Sequence, residues 1–290
     1  MNRYEVVSKR ALAPSVTEME VKAPRVARKA QAGQFVIVRV DDEGERVPLT
    51  VADKHPDQGT ITLIFQAVGY TTRQLAALEV GQSLADVLGP LGMPTEVKCH
   101  GRVVCVAGGV GLALIYPEVR AFAEAGNEII SILGARSKDL LFLVEEIRGY
   151  SSELHIATDD GSLGRHGLVT DVLRGLLEGG EKYHYCIAIG PLPMMKATSQ
   201  LTKEFGLPTL VSLDPIMVDG TGMCGGCRVT VGGEVKFACV DGPDFDGHLV
   251  DFDELAQRKR AYVAEERCLL EQQAEALAAA RDADDNGDSG

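Results

Sequence analysis

The chain has no tryptophan, and aromatic residues make up only 5% of its 290 positions. Apolar residues still reach 45%, enough for a sizeable aliphatic core. Positive charge is scarce: 29 Lys and Arg face 42 Asp and Glu, a formal charge of −13. No Lys/Arg-rich run stands out, and a nucleic-acid role needs a basic stripe. An acidic surface fits protein partners or solubility equally well. No stretch of about 18 apolar residues occurs, so no membrane-spanning helix is expected. The start, "MNRYEVVSKRALAPSV", lacks an apolar core segment, so it does not read as a signal peptide. Seven cysteines is an odd number in a long chain. Without an export signal, that favours reduced thiols and metal binding over disulfides, and a cytoplasmic location.

What is plentiful is glycine, at 32 residues, which predicts tight turns and close backbone approaches. The length predicts two or three domains. Residues 1–98 read as β: "YEVVSKRAL", "VTEMEVKAP", "GQFVIVRV", "VPLTVAD" and "GTITLIFQAV" are short alternating runs parted by turn residues. This is the pattern of an antiparallel barrel or sandwich. A short helix, "TTRQLAALEVGQ", closes the region. Residues 99–213 alternate strand and helix, from "RVVCVAGG" through "SKDLLFLVEEI" to "PTLVSL", which predicts a parallel doubly wound sheet. Residues 214–250 form a Gly/Cys segment with a small hairpin, "CRVTVGGEVKFAC". Residues 251–281 read as a terminal helix, and 282–290 as an acidic disordered tail.

The Gly/Cys segment carries the strongest chemistry. It reads Asp219-x4-Cys224-x2-Cys227-x11-Cys239. The plant-type [2Fe–2S] loop reads C-x4-C-x2-C…C, and the spacing matches if Asp219 takes the first position. Gly220, Gly222, Gly225 and Gly226 let backbone N–H groups turn toward cluster sulfides. A carboxylate can bind ferric iron as a harder ligand than thiolate. Zinc, with His248 or Asp219 as fourth ligand, is the alternative, and three unlinked thiols a second. Gly108, Gly109 and Gly111 follow a strand and open a helix, where a pyrophosphate can approach the backbone. Arg46, beside a proline-fixed strand with Thr50, has the parts to hold a phosphate and a flat ring; alone it is an ordinary exposed arginine. Cys99, Cys105, Cys186 and Cys268 read as core or surface thiols, with Cys105 and Cys186 inside strands. Met194 and Met195 read as core packing.

In this order the three pieces resemble the ferredoxin–NADP reductase superfamily, over about residues 1–260. Within it the chain is similar to the branch of dihydroorotate dehydrogenase B electron-transfer subunits and sulfide dehydrogenase small subunits. It is most like the small (alpha) subunits of NADH-dependent reduced ferredoxin:NADP oxidoreductases. The resemblance implies a β-barrel FAD domain, an α/β nucleotide-binding domain and a C-terminal [2Fe–2S] segment. It assigns FAD to the strand of Arg46, Pro48, Leu49 and Thr50, and to the turn of Gly69, Tyr70, Thr71 and Thr72. It places the nicotinamide nucleotide at the glycine turn and near Gly190 and Pro191, where Ile189 stands for the family's usual cysteine. The family's proline after the glycine turn is Leu114 here. The small-subunit branch replaces one cysteine ligand by aspartate, which singles out Asp219; the dihydroorotate branch keeps four cysteines. NADP-using relatives grip the 2′-phosphate after the third strand, where Asp159 and Asp160 stand here. Carboxylates repel a phosphate and accept from ribose hydroxyls, which favours NAD(H). Arg136 pulls toward NADP.

The implied chemistry is electron transfer between NAD(H), FAD and the cluster, with no acid/base residue. The implied partner is a large iron–sulfur flavoprotein subunit in an electron-bifurcating heterodimer, with ferredoxin met through the complex. A stand-alone reductase and a zinc-stabilised interaction module are the competing expectations.

Overall fold

The computed structural model describes residues 4–272. Six strands form the first sheet: β1 (Val6–Ala13), β2 (Val16–Lys22), β3 (Phe35–Arg39), β4 (Arg46–His55), β5 (Thr60–Gln66) and β6 (Asp86–Leu91). They pair antiparallel in the order β1-β2-β5-β4-β3-β6. The two ends meet just before β1 and β6, where Val6 N donates to Gln82 O (2.8 Å) and Gly81 N to Val6 O (2.9 Å). That contact closes the sheet into a barrel and hides its edges. Val6, Met19, Val21, Val36, Val38, Ile61 and Leu63 fill its interior, while β3 buries Phe35 and Ile37 on its other face as well. Two helices flank it, α1 (Pro24–Lys29) and α2 (Tyr70–Ala77). The first opens on Pro24 at its first turn, where a missing N–H costs nothing.

The second sheet begins with β7 (Arg102–Gly108). It continues through α3 (Gly111–Glu124), β8 (Glu128–Ala135), α4 (Val144–Arg148), β9 (Glu153–Thr158), β10 (Arg165–His166) and α5 (Val169–Glu178). It ends with β11 (Tyr185–Ile189), α6 (Leu192–Glu204) and β12 (Thr209–Ser212). The strand order is β10-β9-β8-β7-β11-β12, all parallel, so the winding reverses beside β7. Both faces of β7 are buried. Val103, Cys105 and Ala107 meet α3, while Val104 and Val106 share a core with α5 and α6. A strand apolar on both faces must be covered by helices on both sides, which is the doubly wound solution.

The expected helix at "SKDLLFLVEEI" is broken. A short 3-10 turn, Lys138–Leu140, is followed by Leu143 at φ 55° and only then by α4. Residues 140–144 are all apolar and have no helical polar face; burying Phe142 and Leu143 takes precedence over helix continuity.

The remaining elements are the hairpin β13 (Arg228–Val231) and β14 (Glu234–Phe237), then α7 (Ala238–Asp241), β15 (Asp244–Asp246) and α8 (Phe252–Arg258). The hairpin turns at Gly232 and Gly233, both at positive φ (61° and 80°), as a two-residue hairpin loop requires. β15 adds antiparallel to β12 and becomes the edge of the second sheet. The expected terminal helix is interrupted. Asp251 caps α8 by accepting from Asp253 N and Glu254 N, the chain then turns with Tyr262 at φ 68°, and helix resumes over 263–272. Residues 273–281 and the expected acidic tail lie outside the described residues.

An ion pair ties barrel to sheet: Arg120 on α3 donates to Asp53 on β4 at 2.8 Å, each about one-quarter exposed. Burial opposes ionisation of Asp53, but Arg120 and the Lys54 N–H outweigh it and hold the carboxyl below its usual range. Its contribution to stability is therefore present above about pH 4 and is lost as pH falls through the depressed value. Arg120→Met is expected to cost about 1 kcal/mol at neutral pH, discounted for partial exposure. Urea unfolding should show that difference shrinking below about pH 4; a difference independent of pH would remove the ion pair as its cause.

Candidate functional site

Parallel sheets bind ligands where the winding reverses, beyond the carboxyl ends of the strands. Here that point lies between the turns that follow β7 and β11. The turns interlock through glycine: a Cβ on Gly108 would meet Met194 Sδ at 2.7 Å, and one on Gly190 would meet Gly108 O at 2.9 Å. A Cβ on Gly111 would collide with the carbonyl of Ile189. Gly109 sits at φ 56°, facing open space. No side chain caps α3; Leu112 N and Ala113 N are spent on the Gly109 and Val110 carbonyls, which leaves the Gly111 N–H at the helix start for an anion. The turns floor a cleft of about 450 Å³, walled on the barrel side by Val16 and Gln66. That size suits a cofactor-type ligand.

Arg136 and Asp159, at the carboxyl ends of β8 and β9, both line the cleft, as does Pro191. Asp160 does not. Its Oδ1 accepts from Ser162 Oγ (2.6 Å) and Ser162 N (2.9 Å), which holds its carboxyl below the usual range and turns it into its own loop. Met194 packs against the core, as read, and also lines the cleft, while Met195 is fully buried. Adjacent positions on a helix point about 100° apart, so one methionine faces the ligand and its neighbour the core. The only sequence signal for this was the position of the pair on the first turn after Gly190-Pro191.

The strand expected to hold a flavin has an unusual edge. β4 pairs with β3 over Arg46–Thr50, but with β5 only from Val51 onward. Residues 46–50 therefore keep one free edge, and Pro48 fits there because it has no N–H to lose. Arg46 is exposed with no ionic partner among the described residues, Leu49 is buried, and Pro48 and Thr50 are half-buried. Thr71 and Thr72 spend their hydroxyls on local structure. Thr71 Oγ1 donates to Glu45 Oε2 (2.9 Å), tying α2 to the start of β4. Thr72 Oγ1 accepts from Gly69 N (3.0 Å) and caps α2. Only the backbone of this turn remains for a ligand. The helical residues 263–272 reach the same turn, where a Cβ on Gly69 would collide with Glu266. A flavin fits this edge by its free backbone, its cation and its glycine.

The cysteine loop rests on the barrel, since a Cβ on Gly220 would meet Leu91 Cδ1 at 2.6 Å and Ile37 Cδ1 at 2.8 Å. Gly220, Gly222 and Gly225 hold φ of 73°, 82° and 68°, a left-handed path closed to other residues without strain. Asp219 shapes the loop: its carboxylate accepts from Thr221 N (2.9 Å) and Cys224 N (2.8 Å), and these bonds lower its pKa. Cys227 and Cys239 are buried with sulfurs 3.2 Å apart, and Cys224 is exposed. Burial, then the neighbouring Cys227, push the Cys239 thiol up to about 12, while a Gly222 backbone N–H works in the opposite direction. Among the described residues no three ligating side chains converge as a ready cage. The donor chemistry still fits an iron–sulfur cluster: soft sulfurs, one carboxylate and a glycine path whose N–H groups can face sulfides. His248 is engaged elsewhere, with Nε2 3.0 Å from Thr202 Oγ1 on α6.

The profile of the iron–sulfur cluster binding domain of dihydroorotate dehydrogenase B matches residues 214–251. A Thermotoga maritima protein, a homologue of the electron-transfer subunit of NAD(+)-type dihydroorotate dehydrogenase B, is 48% identical, over 92% of this chain and 94% of its own. The electron-transfer subunit from Geobacillus thermodenitrificans is 34% identical, over 84% and 95%. A chain from the solved structure of an NADH-dependent reduced ferredoxin–NADP oxidoreductase, studied for flavin-based electron bifurcation, superposes with TM-score 0.89. It is 46% identical, and the match covers 94% of this chain and 99% of that one.

Proposed function

Because this chain belongs to the family of dihydroorotate dehydrogenase B electron-transfer subunits and their homologues, we propose that it is the NAD(H)-, FAD- and [2Fe–2S]-carrying subunit of an electron-bifurcating oxidoreductase. Its partner in this reading is a large iron–sulfur flavoprotein subunit, with ferredoxin reached through the complex, in the cytoplasm. No helix among the described residues is long and apolar enough to cross a membrane. One observation carries the reading: the three-thiol, one-carboxylate loop is stitched through β15 to the sheet that forms the nucleotide cleft.

When bound, flavin exchanges a hydride pair with nicotinamide and single electrons with an iron–sulfur cluster. The residues of the chain position and insulate. Gly108, Gly111 and Gly190 let the two turns pack into the cleft floor on which the nucleotide would lie. Arg46 and the open edge of β4 hold the flavin phosphate and ring, and the Gly69 turn its pyrophosphate. Asp219, Cys224, Cys227 and Cys239 are the ligands of the cluster.

The test is co-purification from the native cell, with absorbance and EPR of the isolated chain. The reading expects a large iron–sulfur flavoprotein alongside, and flavin and reduced [2Fe–2S] signals on adding NADH. A colourless, zinc-loaded chain would sink it, and full turnover with ferredoxin by the chain alone would favour a stand-alone reductase. Asp159 in the cleft predicts preference for NADH over NADPH. Asp159→Ser should shift the ratio of kcat/KM toward NADPH by about tenfold, the scale of one charge contact; an unchanged ratio would leave the choice to Arg136.

A further inference from the structure

Away from these sites, two carboxyl groups meet inside the protein with no cation between them. Glu118, on α3, is 1% exposed. Asp244 opens β15, and its Oδ1 is sealed from solvent. One hydroxyl lies between them: Thr95 Oγ1 is 2.7 Å from Glu118 Oε1 and 2.5 Å from Asp244 Oδ2. The remaining oxygens, Glu118 Oε2 and Asp244 Oδ1, have no partner.

A threonine hydroxyl has a single proton to give. It can donate to one carboxylate. The second short contact is a hydrogen bond only if that carboxyl donates in return. Two ionised carboxylates on one hydroxyl would leave one pair of oxygens facing lone pair to lone pair in a dry site. We propose that Glu118, Thr95 and Asp244 form a binding site for one proton, shared between the two acids and joining three parts of the chain. Thr95 lies on the connection from the barrel to β7, Glu118 on the helix behind the nucleotide turn, and Asp244 on the strand that anchors the cluster segment.

The surroundings agree. Asp244 pairs with Ser212 of β12 along the strand edge, and Tyr185 on β11 feels Asp244, Asp246 and Glu118. Cys105 on β7 faces Glu118. On the barrel side the site meets the Gly33 backbone. None of these groups carries positive charge at neutral pH. Burial raises the pKa of Glu118 well above the carboxylate range, Asp244 adding to it, and burial pushes Asp244 up to about 6. Thr95 also lines a pocket of about 270 Å³ between the barrel and α3, which gives the proton a way in and out. Of the cations of that pocket, Arg120 is ion-paired with Asp53 and the Lys54 ammonium donates to the Ala30 carbonyl, neither to the two acids.

An acid whose folded pKa is raised binds more protons folded than unfolded. Its stabilising proton is then lost as pH rises toward the folded value. The pair titrates as a unit. In Glu118→Gln or Asp244→Asn the amide supplies a permanent donor to Thr95, and the remaining acid has no second carboxyl with which to share its proton.

Infrared difference spectroscopy of the full chain, with its native cofactors, tests this directly. The wild type at neutral pH should show the carbonyl band of a protonated carboxylic acid that shifts in D2O and fades at higher pH. Glu118→Gln should lack it at neutral pH, and in Asp244→Asn it should fade at lower pH than in the wild type. Their melting temperature should also gain on the wild type by about 2–4 °C from acid to alkaline pH. Absence of the band in wild type, or a band with unchanged pH dependence in both variants, overturns the proposal. So does a melting temperature raised by added magnesium or calcium in wild type alone, which would make the ligand a metal ion. If one variant fails to fold the other decides, and if both fail, the pH titration of the wild-type band decides.

Discussion

Gly111→Ala is expected to abolish binding of the nicotinamide nucleotide while leaving the absorbance of flavin and cluster intact. The new Cβ would run into the Ile189 carbonyl and lie 2.8 Å from Gly190 Cα. Both obstacles are backbone, at the end of a strand paired along its length with β7 and, up to Ala188, with β12, so neither can swing aside. The two turns must part, and the floor of the cleft goes with them. A displacement of that size at a positioning element costs on the order of 100-fold in rate, and loss of the turn costs more. Stopped-flow reduction by NADH measures it. Gly109→Ala separates a different cost: its Cβ meets no protein atom but enters the cleft lining, so its left-handed φ of 56° is penalised by about 1–2 kcal/mol while the interlock stays intact. If Gly111→Ala reduced at the wild-type rate, the interlock of the two turns would not matter to the cleft.

Asp219 carries the second large effect, because its carboxylate has two tasks. It holds the loop through Thr221 N and Cys224 N, and in the proposed function it is a ligand. Substitutions separate the tasks. Asp219→Ala removes both and should release most of the iron. Support around a metal site alone is worth about 10- to 100-fold in affinity, and loss of a ligand adds to that. Asp219→Asn keeps one acceptor oxygen and loses the charge, so the loop should survive better than the metal site. Asp219→Cys restores a ligand but not the acceptors; it should retain a cluster with a changed EPR signal and potential. Iron and sulfide analysis with EPR of the reduced protein reads all three. An unchanged cluster spectrum in Asp219→Ala would show that the fourth ligand lies elsewhere.

Much of this was readable from local pattern. β7 announces itself as a fully buried strand, the glycines after it as a turn, and Gly232-Gly233 as a hairpin, because each depends on neighbours a few residues away. What stayed hidden depends on distant partners. β15 is three residues long and exists only because β12 offers an open edge. The break at Leu143 follows from which apolar residues the α3 face can take, which no periodicity encodes. The role of Met194 became visible once Gly108 was seen against its sulfur. Glu118 and Asp244 are 126 positions apart. In sequence each is an ordinary surface acid, and only the fold makes them a pair.

β15 has one more consequence, for engineering. Without it, β12 would present a bare row of N–H and C=O groups to solvent, a template on which a second sheet can grow. The cluster segment is thus also a guard against self-association. A chain cut after β12 should precipitate or form sheet-to-sheet oligomers whatever its cofactor content. A chimera that exchanges cluster loops with a relative should take its junction between Cys239 and Asp244, so that the host keeps its own protective strand.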